Sequence, residues 1–351
     1  MTNHNYDAIL FVSFGGPEGH DDVMPFLENV LRGKNVPRER MLEVAEHYYH
    51  FDGVSPINRQ NRKLITAVEA SLRDAGCQLP IYWGNRNWHP LLTDTMQRMA
   101  DDGIKKALAF VTSAFSSYSG CRQYREDLAA ARAVVGEGAP QIDKIRAYYN
   151  HPGFIAATCE RLAEALDAIP DEARSTAPIL FTAHSIPLTM SATCRYVAQL
   201  EEACSLVATE LGHENWKLVY QSRSGPPTQP WLEPDICDAI RELPAHNVQH
   251  LVVVPIGFVS DHMEVLFDLD TEAQQLCDEL GIQMARAKTV GTHPQFVSGV
   301  CRLILERIHD TGAREAVGQA GASHDFCPVD CCLSGRPATP PKPTVAGQDA
   351  F

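Results

Sequence analysis

No apolar run in this 351-residue sequence approaches the roughly 18 to 20 residues that cross a bilayer, which predicts no membrane-spanning helix. A basic excess is missing as well. Against 44 acidic side chains stand 30 lysines and arginines, a net charge of −14, and no local basic stripe reverses that balance. Nucleic acid and anionic membranes are therefore disfavoured as partners. The N-terminus, MTNHNYDAILFVSFGG, has no basic leader, and its apolar run is only strand-length and ends at once in a glycine turn. It reads as the start of a cytoplasmic chain rather than as a signal peptide. A disulfide framework is absent too, since the eleven cysteines are odd in number and mostly scattered. Three of them, Cys327, Cys331 and Cys332, crowd into six residues, a pattern that points to metal. What is present, 44% hydrophobic and 21% charged residues, describes a globular protein long enough for two cores.

Strand-like runs at 8–14, 81–84, 106–112, 143–147, 178–183, 217–221 and 250–256 alternate with amphipathic stretches at 61–75, 91–102, 154–168 and 196–211. Such alternation predicts parallel sheets with helices on both faces. There is no short-period repeat, but two halves of about four strands each meet at the polar stretch 170–178. The expected domains are 1–172 and 178–290, with a late helix at 293–312 packing back on the first and a cysteine-containing, partly disordered tail at 313–351. The segment 29–62, with its interleaved aromatics, is either a lid or an irregular helix and loop.

Four segments carry candidate chemistry. The run Leu251 to Val254 is apolar enough for a strand buried on both faces, and it breaks at Pro255 and Gly257. Beyond it Glu264, Asp268 and Glu272 recur every fourth residue, stacking three carboxylates on one helix face. A solvated face is the ordinary explanation, but the apolar neighbours and the position after a buried strand favour a ligand site. A π-bulge in that helix would align the fourfold spacing more closely. The strand PILFTA delivers His184, a candidate general base by its near-neutral ordinary pKa, although most lone histidines are structural. The sequence FGGPEG after the first strand permits a tight turn but lacks the lysine of a phosphate loop. In SAFSSYSGCRQYRED, hydroxyls and aromatics suit a flat polar ligand, and Arg122 and Arg125 are candidates to pair with its carboxylate arms, as is Arg59 upstream.

Taken in order, FGGPEG, GVSPINR, GNRNWHP, TAHSIP, QSRSGPP with WLEPD, and SDHMEVL resemble the ferrochelatases over about residues 6 to 310. The wording is closest to the actinobacterial type, associated with coproporphyrin III rather than protoporphyrin IX. The resemblance implies two Rossmann-like domains of chelatase type, each a parallel four-stranded sheet flanked by helices, with the porphyrin in the cleft between them. It also implies a lyase that inserts Fe(II), a substrate here, into a porphyrin in haem biosynthesis. His184 then matches the catalytic histidine and Glu264 its acidic partner, with Asp268 and Glu272 extending the metal-facing line. Ser55 and Tyr124 match porphyrin-contacting positions, and Phe14 stands where some relatives carry a tyrosine or methionine; a phenylalanine cannot ligate iron. Transient partners among other haem-pathway proteins are expected. A porphyrin or metal carrier without insertion chemistry is the alternative.

Members of this family often hold a [2Fe-2S] cluster on three C-terminal cysteines and one distant cysteine. By that likeness Cys327, Cys331 and Cys332 are the tail ligands and Cys159 is the fourth, which gives the thiolate count that the cluster requires. The C-x3-C-C spacing is tighter than in the animal enzymes, so structural zinc or free thiols stay open as alternatives. The proline-rich residues that follow are expected to be disordered.

Overall fold

The computed structural model describes residues 5–33, 36–226, 228–310, 312–336 and 342–347. Strand β1 (Ala8–Ser13) is buried along its whole length, as its apolar, β-branched sequence requires of a strand covered on both faces. After it come α1 (Val23–Leu31), α2 (Arg38–Tyr49), α3 (Ile57–Asp74), β2 (Ile81–Asn85), α4 (Leu92–Asp101), β3 (Lys106–Val111), α5 (Gln123–Val135) and β4 (Gln141–Lys144). These strands pair in parallel in the order β2-β1-β3-β4. The second half begins with α6 (Pro152–Leu166), α7 (Asp171–Arg174), β5 (Ile179–His184), α8 (Leu188–Ser191), α9 (Tyr196–Glu210) and β6 (Trp216–Gln221). It continues through α10 (Ile236–Glu242), β7 (His250–Val254), α11 (Met263–Phe267), α12 (Gln274–Glu279), β8 (Gln283–Arg286) and α13 (Pro294–His309). Its sheet has the equivalent order, β6-β5-β7-β8, again parallel. All seven strand expectations meet a strand, although the fourth lies earlier, at Gln141–Lys144. The eighth strand gave no signal because Gln283–Arg286 is a polar, half-covered edge.

Two helices exchange sides. α6 follows β4 yet packs on α9, β7 and β8, whereas α13 follows β8 and packs on α3 and β3. They cross where Gly153 faces Gly299. A Cβ on Gly153 would stand 2.6 Å from the Gln295 carbonyl oxygen and 2.8 Å from the Gly299 Cα, so only glycine allows this approach. Both helices open alike, with a histidine cap followed by proline. His151 Nδ1 accepts the Gly153 N–H at 3.1 Å, and His293 Nδ1 accepts the Gln295 N–H at 3.3 Å. Phe154 and Phe296 meet with ring centroids 6.1 Å apart, and one hydrophobic core runs through residues of both sheets.

Side chains from the loops beyond the strands tie the two halves together. Gln60 and Asp261 exchange two bonds, Nε2 to Oδ2 at 3.1 Å and Asp261 N–H to Oε1 at 2.9 Å. Gln199 and Ser116 do the same, with the Ser116 N–H to Oε1 at 2.7 Å and Nε2 to Oγ at 3.0 Å. Parallel sheets of this order bind ligands beyond the carboxyl ends of their strands, where the strand order reverses, and it is there that the halves face each other.

The tail corrects one expectation. Residues 342–347 are placed against the first half, where Val345 and Ala346 are buried, because the Arg125 guanidinium bonds the Val345 carbonyl at 2.7 Å and the Thr344 hydroxyl at 3.0 Å. The proline-rich residues 337–341 and the last four lie outside the described residues. Among the described residues no helix is long and apolar enough to cross a membrane.

Candidate active site

His184 is the last residue of β5, and Glu264 lies on α11 just beyond the adjacent strand β7. Their side chains meet, with Nε2 of His184 3.7 Å from Oε2 of Glu264. On the other side of the ring, Nδ1 lies against the Ser185 carbonyl. A carbonyl only accepts, so Nδ1 carries the proton and Nε2 keeps its lone pair for the cleft. Tyr196 fixes the backbone beneath by donating to the His184 carbonyl at 3.1 Å. His262, at the N-cap of α11, brings a second imidazole to the same carboxylate at 4.0 Å. Burial, and to a lesser degree the neighbouring His184, hold His262 below the ordinary histidine range. In the sequence His262 stands two residues before Glu264, within the SDHMEVL motif.

The acid ladder follows a change of helix type. α11 gives way to a π-turn at Asp268–Ala273 before α12 resumes the α pitch. A wider turn brings residues four apart nearer to register, so the bulge serves the carboxylate spacing. Glu264 and Glu272 are exposed and Asp268 between them is half-buried. Asp268 Oδ2 accepts from the Ser222 hydroxyl and from Gln221 Nε2, the latter at 3.2 Å, and Gln221 also holds the Glu264 carbonyl at 3.2 Å. The QSRSG segment thus supports the ladder from behind. Ser222 adopts φ 61°, an uncommon conformation for a non-glycine residue, stored here beside the site. Burial first, and the charges of Glu264 and Glu272 next, push the Asp268 carboxyl up to about 7.

A stability prediction follows from that shift. An unfolded aspartate ionises near 4, so the folded state holds the Asp268 proton longer, and the stability this gives is lost as pH rises through about 7. Asp268→Asn keeps the acceptor oxygen and removes the titration. Relative to wild type, its melting temperature should gain roughly 5 °C between pH 5 and pH 8. Parallel melting curves across that range would contradict the burial argument.

Across from the ladder, α2 supplies a cover. The His47 ring stacks on Phe267 at 3.7 Å between centroids and 8° between planes. Tyr48 stands near enough to Glu264 for its phenol to be raised by that charge, after the larger effect of burial. The segment read as a lid or an irregular stretch therefore contains a regular helix lying over the ladder. Phe14 is part-exposed beyond β1, Ser55 is buried against Gly16, and Tyr124 is buried on α5. Arg86 joins two of these, with its guanidinium 5.8 Å from the Phe14 centroid and 4.4 Å from that of Tyr124 while its Nε bonds Asp127.

Arg122 and Arg125 do not serve as arms for a ligand. Both are buried, and Arg122 donates to the Val329 and Cys331 carbonyls at 2.7 and 2.9 Å while Arg125 holds Thr344 and Val345. The main chain of the tail takes the place that carboxylates were expected to fill. Arg59 remains exposed on α3. Cys159 is also elsewhere than expected. It lies in the core on α6 with Sγ 4.0 Å from the Val207 carbonyl, and burial pushes its thiol up to about 11. Among the described residues the donors that come together are His324, Cys327 and Cys331, all within 4.8 Å of one another, with Cys332 Sγ 3.5 Å from that of Cys331.

Two equivalent α/β halves, with a histidine and a carboxylate ladder at their facing strand ends, define a two-domain chelatase. The same fold occurs in SirB from Bacillus subtilis, solved with Fe3+, at a TM-score of 0.54 and 10% identity over 88% of this chain and 98% of that one. Residues 6–308 match the family model for Ferrochelatase, and the chain belongs to the ferrochelatase family. It is 60% identical to a ferrochelatase of Rhodopirellula baltica over 97% of this chain and 96% of the relative. Coproporphyrin III ferrochelatases of Streptomyces coelicolor (50% identity, 98% and 97% covered) and Nocardia farcinica (47%, 97% and 99%) are similarly related. The chain is thus a porphyrin metal chelatase of haem synthesis, with Fe(II) and porphyrin as its substrates.

Proposed function

We propose that this ferrochelatase acts on coproporphyrin III, and that His184 and Glu264 carry out the insertion. The observation that supports this most is the His184 Nε2, with its lone pair free, 3.7 Å from a carboxylate oxygen. Insertion exchanges two pyrrole protons for one Fe(II). Nε2 takes each proton, Glu264 accepts it in turn, and the imidazole is restored for the second. Asp268, with its carboxyl near pH 7, and Glu272 carry protons away along the π-turn and offer oxygen ligands to hydrated Fe(II). Phe14, Ser55 and Tyr124 line the porphyrin wall, with Phe14 contributing apolar contact alone. The cleft lies between residues 1–172, joined by the late helix, and 178–290. A carrier would need no proton acceptor beside its base, so the His184–Glu264 pair favours the enzyme over it.

Coproporphyrin III is favoured by the names of relatives at 47% to 50% identity over nearly the whole chain. A kcat/KM for coproporphyrin III at least tenfold above that for protoporphyrin IX is expected in an anaerobic Fe(II) assay; equal values or the reverse order would overturn the assignment. We place the enzyme in the cytoplasm, consistent with eleven free cysteines, with transient contacts to other haem-pathway proteins. The tail carries a [2Fe-2S] cluster in this reading, supported by its crowded thiols. Cys159 does not fit that group, whereas Cys327 and Cys331 do. Bound there, the cluster would supply one-electron redox chemistry, outside the insertion step.

A further inference from the structure

We propose that Arg286 is a positioning residue for iron insertion, whose guanidinium brackets α11 at both ends and so sets where Glu264 stands. The inference rests on the reading that Glu264 takes part in insertion, and it adds what fixes that carboxylate. Glu264 does not fix itself. Its Oε2 meets the His184 and His262 rings at 3.7 and 4.0 Å, beyond hydrogen-bond length, so its place follows the main chain that carries it. That main chain is a single short run of α-helix, Met263–Phe267, between a loop and the π-turn. A helix of this length does not hold its own shape.

Arg286 supplies the hold. It is the last residue of β8 and pairs with Val253 of β7, the strand from which the loop to α11 departs. Alternation along β8 puts Met284 and Arg286 on one face. Met284 packs on the cluster that buries Val265 and Leu269, so the same face of β8 looks onto α11 and the π-turn. The Nε and Nη2 of Arg286 form a fork on Asp270 in the π-turn, with the Nη2 bond at 2.8 Å, and its Nη1 bonds Asp261 Oδ1 at 3.2 Å. Asp261 stands just before α11 and Asp270 just after it. A planar guanidinium makes both contacts at once, which a single ammonium cannot do. The side chains of Arg286 and Asp261 are each only 16% exposed, so water and salt screen their attraction little. Asp261 in turn exchanges two bonds with Gln60 on α3, which ties the helix of Glu264 to the half that carries Ser55. Gln221 secures the middle of the segment, at the Glu264 carbonyl and Asp268. Arg286 secures its two ends.

The test is steady-state Fe(II) insertion by the full chain into coproporphyrin III or protoporphyrin IX, whichever wild type metalates faster, with porphyrin affinity read from fluorescence quenching. Arg286→Met should lower kcat about tenfold or more, the scale of a displaced reacting group, with porphyrin affinity within about twofold of wild type. Asp270→Ala, at an exposed position, breaks the same fork while changing the charge in the opposite sense, and should also lower kcat, by about threefold or more. Arg286→Lys keeps the charge without the double contact and should stay at least about threefold below wild type. In a Glu264→Gln background each change should cost less than about twofold, because the group being positioned is gone. Near-normal kcat in both Arg286→Met and Asp270→Ala, opposite shifts of kcat in the two, or the full rate in Arg286→Lys would overturn the proposal and leave Glu264 in its role. Equal losses with and without Glu264→Gln, as a general weakening of the fold would give, would overturn it as well. If Arg286→Met does not accumulate as folded protein, Asp270→Ala and Arg286→Lys carry the same comparisons. A Glu264→Gln enzyme that turns over at the wild-type rate would refute the reading of Glu264 and this proposal with it.

Discussion

Replacing His184 with alanine is expected to lower the turnover of iron insertion by roughly two to four decades, the range that follows loss of a positioned base. The residue ends a buried strand and is itself half-buried, so truncation removes a lone pair and leaves the packing of β5 in place. Its Nδ1 is engaged with the Ser185 carbonyl, and only Nε2 faces Glu264. Porphyrin affinity should change far less than turnover, which fluorescence quenching of the free base can follow. A variant that turns over near the wild-type rate would remove His184 from the mechanism.

Glu264→Gln should cost about two decades. The amide keeps the size and one acceptor oxygen but cannot take a proton, and it leaves Tyr48, His184 and His262 facing a neutral group. The stronger expectation concerns the pair. If His184 passes its proton to Glu264, the two act as a unit, and the double variant should be no more than about a decade slower than the worse single one. Rates that multiply fully would mean that the two side chains serve independent steps.

The extent to which the sequence disclosed this arrangement differs from residue to residue. β1 and β7 were plain because a strand buried on both faces must be apolar throughout, whereas β8 at a polar edge carries no such constraint. His184 and the Glu264, Asp268 and Glu272 series were legible because a strand end and a fourfold spacing are local facts of sequence. Other features depend on residues far apart in the chain. The crossing of α6 and α13 rests on two glycines 146 positions apart, and nothing near either one announces it. Arg122 and Arg125 have the chemistry to read carboxylates, but tail carbonyls more than 200 residues away reach them first. Cys159, on an amphipathic helix, likewise turned to the core rather than to the tail.

The most direct measurement is the absorption spectrum of the purified protein mixed anaerobically with coproporphyrin III and then with Fe(II). Insertion at the His184–Glu264 pair predicts that the free-base bands give way to those of the iron porphyrin over many turnovers. A spectrum that records stoichiometric porphyrin binding and stays that of the free base after iron is added would contradict it.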